Sequence, residues 1–211
     1  TIVGNNIANN SWGIWLHYSS NNYFYHNNFI SNAKQVDFDS SSLNFWDDGY
    51  PCGGNYWSNY IGTDLYSGPY QNEAGSDGIS DVPYNVSDYY DAVDKYPLMG
   101  PFNALDVGVW DNVAYTVDVI SNSTVGDLIF DPLEGPFISF NVTGADGTKG
   151  FCRITIPKKL LWAEEGEWVI LVGGEEVNYT STLDKSNTYL YFTYNHSTKT
   201  IQIQGTQTLP I

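Results

Sequence analysis

Asn5-Asn6-Ile7-Ala8-Asn9-Asn10 returns 22 residues later as Asn27-Asn28-Phe29-Ile30-Ser31-Asn32, and the apolar positions beyond each copy return in the same register. Ile14 and Leu16 map onto Val36 and Phe38, Ser19-Ser20 onto Ser41-Ser42, and Asn22-Tyr23-Phe24 onto Asn44-Phe45-Trp46. A fixed period of this length marks a stacked solenoid, in which one copy cannot bury its apolar residues until another stacks on it. The segments between the Asn-rich corners are too short for paired helices. Ile14-x-Leu16 and Val36-x-Phe38 instead alternate with the period of two that belongs to strands. Residues 1–48 are therefore expected to form the terminal coils of a parallel β-helix. Because a solenoid needs about three repeats for stability, the pattern predicts further coils ahead of Thr1 or a partner covering that edge.

Outward from the repeats the texture changes. Residues 49–101 carry Gly, Pro and Asp with nine of the 17 tyrosines, among them Tyr89 and Tyr90, and read as a folded cap, since rings seek burial. Trp46, Tyr56, Trp57 and Tyr60 surround Gly53-Gly54. Exposed rings, with Trp12, Trp15, Tyr56 and Trp57 as the candidates, would stack on sugars. Buried rings would plug the apolar end of the last coil, and the need of every solenoid to terminate favours this second role. Pro97, Gly100 and Pro101 mark the boundary to a last domain, residues 102–211. There the runs Val113 to Ile120, Asp127 to Phe130, Phe137 to Thr143, Phe151 to Ile156, Trp168 to Val172, Thr188 to Tyr194 and Thr200 to Gln204 are β-branched or aromatic, with turn formers between them. Short antiparallel strands in such number predict an immunoglobulin-like β-sandwich. A short helical turn is expected at Pro157 to Leu161, and Leu209-Pro210-Ile211 is expected to leave the sheet as a tail. The fold class is all-β throughout.

The 211 residues carry 24 Asp and Glu against 8 Lys and Arg, a net charge of −16 that repels nucleic acid and anionic membrane. Neither half is basic, at −9 for residues 1–102 and −7 for the rest. No apolar run reaches the length of a membrane span. Six Asn-x-Ser/Thr sequons, at Asn9, Asn85, Asn122, Asn141, Asn178 and Asn195, point to an extracellular glycoprotein. In that compartment Cys52 and Cys152 are candidates for a disulfide within the chain or between chains, or for buried thiols.

The strongest local motif is Ser76-Asp77-Gly78-Ile79-Ser80-Asp81. Calcium requires six to eight oxygens on a tightly turning loop, and Asp77, Asp81, Glu73 and Asp64, with Asp88, Asp91 and Asp94 near in sequence, are the candidate ligands. The competing expectation is that Asp77 and Asp81 cap turns. Asp47-Asp48 invites comparison with the paired carboxylates of polysaccharide hydrolases, but adjacent strand residues point to opposite faces. His17, His26 and His196, the only histidines, are expected at the surface of strands, too few for a copper or zinc site. No Ser-His-Asp arrangement, phosphate loop or Cys-x-x-Cys site is present.

The first hundred residues resemble the NosD-like right-handed β-helix proteins of archaeal and bacterial envelopes. The resemblance is carried by the Asn-rich corners and Gly13-Ile14-Trp15-Leu16, then by Trp46-Asp47-Asp48-Gly49, Gly54-Asn55-Tyr56-Trp57-Ser58-Asn59-Tyr60, Gly62-Thr63-Asp64, Asp77-Gly78-Ile79-Ser80-Asp81-Val82-Pro83-Tyr84 and Pro97-Leu98. The rest looks like the β-sandwich that comes after such repeats in large archaeal surface proteins, through Gly150-Phe151-Cys152-Arg153-Ile154-Thr155-Ile156-Pro157 and Tyr189 to Ser197. In those proteins a membrane anchor tends to come next, which implies one beyond Ile211. The family's copper label lacks a ligand set here, and no copper is expected. Together these features predict a non-enzymatic structural or adhesive protein, extracellular or at the cell surface, whose partners are copies of itself and cell-surface polysaccharide. The alternatives are a carbohydrate-binding module and the remnant of a polysaccharide-active enzyme.

Overall fold

The computed structural model describes residues 1–38, 43–87, 91–110 and 112–209. Ser41, Ser42, Asp88, Tyr89, Tyr90, Pro210 and Ile211 thus lie outside the described residues. The chain divides into two compact units, Thr1–Phe102 and Asn103–Ile211. All regular elements among the described residues are strands, so the chain is all-β.

In the first unit β1 (Ile2–Val3), β2 (Asn6–Ala8) and β3 (Trp12–Leu16) run parallel to β4 (Phe24–Tyr25), β5 (Asn28–Ile30) and β6 (Lys34–Phe38). The pairing obeys the repeat: Ile2 lies opposite Phe24, Ile7 opposite Phe29 and Ile14 opposite Val36. A third rung begins with β7 (Tyr56–Trp57), which sets Trp57 opposite Phe29. The corners repeat with the strands. Gly4 and His26 both have left-handed φ, +70° and +57°, as do Asn9 and Ser31 at +58° and +51°. Gly4 and Asn9 are residue types that tolerate that conformation, while His26 and Ser31 hold it at the equivalent corners of the next rung.

Leu16, Phe24, Phe29, Val36, Trp46 and Trp57 form the buried core of this unit. Rings stack from rung to rung, Phe24 on Trp46 at 4.5 Å, Phe29 on Trp57 at 4.2 Å, and Trp57 on Tyr84 at 4.5 Å between centroids. Such pairs contribute about 0.5–1.5 kcal/mol each beyond their buried area. The segment after β7 holds only two-residue strands: β8 (Tyr66–Ser67) pairs with β9 (Glu73–Ala74), and β10 (Tyr84–Asn85) with β11 (Val93–Asp94).

The second unit contains β12 (Phe102–Trp110, from its second residue), β13 (Val113–Ser121), β14 (Thr124–Phe130), β15 (Phe137–Thr143), β16 (Lys149–Pro157) and β17 (Leu161–Trp162). It continues with β18 (Val169–Val172), β19 (Glu175–Glu176), β20 (Tyr179–Leu183), β21 (Asn187–Asn195), β22 (Lys199–Gln204) and β23 (Gln207–Thr208). One five-stranded sheet has the order β12-β13-β16-β21-β20 and the other β14-β15-β22-β18-β19. Val117, Val119, Ile154, Leu190 and Phe192 from the first sheet and Ile138, Phe140, Ile170, Ile201 and Ile203 from the second share one buried cluster. Period-two alternation therefore faces each sheet inward.

Five strands of this unit escape the sequence reading: β12 and β20, because their apolar residues are interrupted by Asn103, Asp106 and Gly108 in one and are replaced by Thr and Ser in the other, and the two-residue strands β17, β19 and β23, too short to show a period. At Pro157 to Leu161 a single turn forms, with Leu160 N–H donating to the Pro157 carbonyl at 2.9 Å, and it does not extend into a helix. Leu209 does not leave the sheet as expected. It is buried, and its N–H donates to the Leu160 carbonyl at 3.2 Å, because β23 pairs with β17 just before it.

Candidate functional site

The corners of the first unit are bound by asparagine side chains. Asn27 Oδ1 accepts both the backbone N–H and the side-chain amide of Asn5, at 3.1 and 3.0 Å, and Asn55 Oδ1 does the same for Asn27 at 3.1 and 3.0 Å. Asn32 repeats the arrangement on Asn10, and Asn44 on Asn22. At the end of the first ladder stands Asp94, fully buried, whose Oδ2 accepts the Asn55 backbone N–H and the Trp57 indole N–H, both at 2.8 Å. Desolvation pushes its carboxyl up to about 7 despite these bonds. Gly54 has to be a glycine here, since a Cβ would lie 1.9 Å from Asp94 Oδ1.

The four rings considered for sugar stacking separate cleanly. Trp57 is core and Tyr56 half-buried, whereas Trp12 and Trp15 on β3 are 54% and 60% exposed. Trp12 and Trp15 lie 5.9 Å apart, Trp15 and His17 6.0 Å, and His17 and Tyr18 4.7 Å between centroids. On the next rung Lys34 lies opposite Trp12 and Asp37 opposite Trp15, and Lys34 Nζ bonds Asp37 Oδ1 at 2.5 Å. The Lys34 ammonium accordingly holds the Asp37 carboxyl below its ordinary range.

The acidic loop uses its carboxylates on backbone. Asp64 accepts the N–H groups of Asp77 and Gly78 at 2.9 and 2.8 Å, and in return Asp81 accepts those of Leu65 and Tyr66 at 2.9 and 3.0 Å. Asp77 Oδ1 accepts Ile79 N–H at 3.0 Å. Desolvation nonetheless raises the Asp64 carboxyl to about 6. Glu73 is exposed on β9 and takes no part in this exchange. The arrangement is the turn-building use of aspartate rather than a cation cage. Among the described residues no three or more His, Cys, Asp or Glu gather as a metal group, so the geometry lends calcium no support. Asp47 likewise accepts Gly49 N–H and Lys95 N–H, both at 3.0 Å, one on each oxygen.

His17 is exposed as expected, but His26 and His196 are buried. His26 stacks on Phe102 at 4.3 Å, and its Nε2 approaches the Cys52 carbonyl at 3.0 Å and Sγ at 3.5 Å. His196 is held in the second unit by Ser123 Oγ on Nε2 at 2.9 Å and Thr148 Oγ1 on Nδ1 at 2.5 Å, with Tyr194 OH 2.7 Å from Ser123. The ring fits because Gly144 and Gly150 flank it. A Cβ on either would come within 2.7 Å of the imidazole. Spacing gave no hint of this network, since its members lie on separate strands and turns. Its third hydroxyl, Thr148, stands where a hydrolase would hold a carboxylate. Neither cysteine forms a disulfide, and Cys152 is fully buried in the core of the second unit. All six sequon asparagines are exposed, though Asn122 donates its Nδ2 to the Lys149 carbonyl at 2.9 Å.

These features define an all-β chain whose first unit stacks parallel rungs on a 22-residue register. Residues 1–62 match the family model of the periplasmic copper-binding protein NosD. No curated protein and no solved structure matches the chain. Copper does not fit the described residues: no three His, Cys, Asp or Glu gather among them, and His26 Nε2, 3.5 Å from Cys52 Sγ, lies closer to the Cys52 carbonyl at 3.0 Å. No helix among the described residues is long and apolar enough to cross a membrane.

Proposed function

We propose that the chain is a non-enzymatic structural and adhesive protein of a cell surface or periplasm, with right-handed parallel β-helix coils in its first unit and an immunoglobulin-like sandwich in its second. In this reading copies associate by strand addition at the edges of the sandwich. The observation that carries it is the outer strands of its two sheets: β12 and β20 bound one five-stranded sheet, and β14 and β19 bound the other. Val109 on β12, Ile129 on β14 and Leu183 on β20 are exposed there. A strand edge with backbone groups left to pair is a template for another strand. The Asp47 and Asp64 carboxylates bond to backbone amides, which favours scaffolding over acid–base chemistry. Six exposed sequons suit an extracellular compartment.

Sedimentation velocity and electron microscopy across a concentration series test the reading. Concentration-dependent oligomers are expected, and Ile129→Lys, which puts a charge on the outer strand β14, should disperse them. A chain that stays monomeric at its highest soluble concentration removes self-association as the function.

A further inference from the structure

We infer that the outer face of β3 and β6 is a binding site for neutral polysaccharide. Scattered exposed rings are ordinary, but an unbroken row of four is not, and Trp12, Trp15, His17 and Tyr18 form such a row. Nothing in the core of the unit uses it, for the core residues of the same strand are Ile14 and Leu16. The second component is the register. Trp12 stands over Lys34 and Trp15 over Asp37, so an ion pair runs alongside the two indoles one strand spacing away, roughly 4.8 Å. A pyranose ring has two kinds of surface that need such a pair of rows. Its C–H face is apolar and faintly positive and packs on an indole, while its equatorial hydroxyls seek charged or amide partners at the edge.

Beside Lys34 and Asp37 lies a cleft of about 500 Å³ lined also by Gln35, Asn59 and Tyr84, with Val36 and Phe38 from the core cluster in its wall, so further amide and ring groups stand next to the ion pair. The polymer would lie along β3, ring to ring, with the Lys34–Asp37 pair of the next rung at its edge. Charge selects among polymers. At −16 the chain disfavours uronate-rich polysaccharide and nucleic acid, and the Lys34 ammonium on this face is already matched by Asp37. Tryptophan and tyrosine also anchor protein interfaces, and sedimentation of the Trp→Ala variants separates that use from glycan binding.

Affinity electrophoresis of the whole chain through gels containing cellulose derivative, xylan, mannan, dextran or polygalacturonate tests this. Retardation by at least one of the neutral polymers is expected, with Trp12→Ala and Trp15→Ala each weakening it about tenfold and Trp12→Tyr or Trp15→Tyr, which keep a ring, retaining most of it. Circular dichroism of each variant should be unchanged, because both indoles are more than half exposed. No retardation by any neutral polymer, retardation by polygalacturonate alone, or equal loss in the Ala and Tyr variants overturns the inference. So does sedimentation showing that the Trp→Ala variants merely abolish self-association without glycan. Assembly by strand addition at the sandwich edges stands or falls separately, since its test contains no polysaccharide.

Discussion

Asp94 Oδ2 lies 2.8 Å from the backbone nitrogen of Asn55, in the place where Asn55 itself accepts the backbone nitrogen of Asn27 and Asn27 that of Asn5. A carboxylate thus ends a ladder of amides. An asparagine in the ladder needs carbonyls for its Nδ2, as Asn55 has in Phe24 one rung back and in Trp46 on its own rung, whereas an acceptor-only group needs none. Asp94→Ala would leave buried N–H groups of Asn55, Trp57 and Tyr96 without their acceptor, so a loss of about 3–5 kcal/mol is expected in chemical denaturation. Asp94→Asn, which keeps one oxygen, should cost about 1–3 kcal/mol. Gly54→Ala, by displacing the carboxylate, should resemble Asp94→Ala. Wild-type stability in all three would mean that the ladder closes without Asp94.

Burial of acids gives the fold an unusual response to pH. Desolvation holds Asp94 at about 7 and Asp64 at about 6, against an ordinary value of 3.8. Between about pH 4 and 7 the folded chain keeps protons that the unfolded chain has released, and stability falls as pH rises through that window. Asp184, where desolvation is outweighed by bonds from Tyr189, Ser186 and Asn187 and the carboxyl is lowered, acts oppositely and only below the ordinary range. The melting temperature should therefore be higher near about pH 5 than near about pH 8, and Asp94→Asn should flatten the slope. A melting temperature that climbs steadily over the same interval contradicts this account.

Within the ladder, burial separates structural from dispensable asparagines. Asn27 is fully buried and its Nδ2 donates to the Ile2 and Tyr25 carbonyls as well as to Asn55, while Asn10 is exposed and only donates to Asn32. Asn27→Ala is expected to cost about 2–4 kcal/mol, and Asn10→Ala less than about 0.5 kcal/mol, as judged by urea midpoints at constant slope. Equal effects would show that the ladder is not graded by burial.

The 22-residue echo made the rungs legible because each side chain in the repeat has one neighbour at a fixed offset, so that the sequence alone predicts that Ile14 meets Val36 and Asn5 meets Asn27. The plug of Trp46 and Trp57 was legible on the same ground, since a stack must end. Contact between residues without a period escaped. Asp94 is 39 residues from Asn55, and Ser123 is 73 from His196, and neither separation belongs to the repeat. The acidic motif left two uses open for a related reason: Asp64, Asp77 and Asp81 come to one loop junction, and the backbone N–H groups that arrive there with them and bond their oxygens are not written in the motif. Among the aromatic candidates, exposed Trp12 and Trp15 differ from buried Trp57 in the face of the strand they occupy, which composition does not record.

The cysteines offer a contrast within one molecule. Cys152 is wholly enclosed between Ser121 and Tyr194, each 3.6 Å from its sulfur, and burial pushes its thiol up to about 11. A thiol of that kind is almost never ionised at neutral pH, and reagent cannot reach it until the sheet opens. Cys52 is only half-buried, beside the His26 imidazole. Iodoacetamide labelling of the native chain, with peptide mass spectrometry as the readout, should therefore modify Cys52 and leave Cys152 unlabelled until denaturant is added. If both label at the same rate in the native chain, the second unit opens far more readily than its packed core allows, and Cys152→Ser should then be as stable as the parent. With the core closed, that same substitution replaces a buried sulfur by a hydroxyl and should cost about 1–3 kcal/mol.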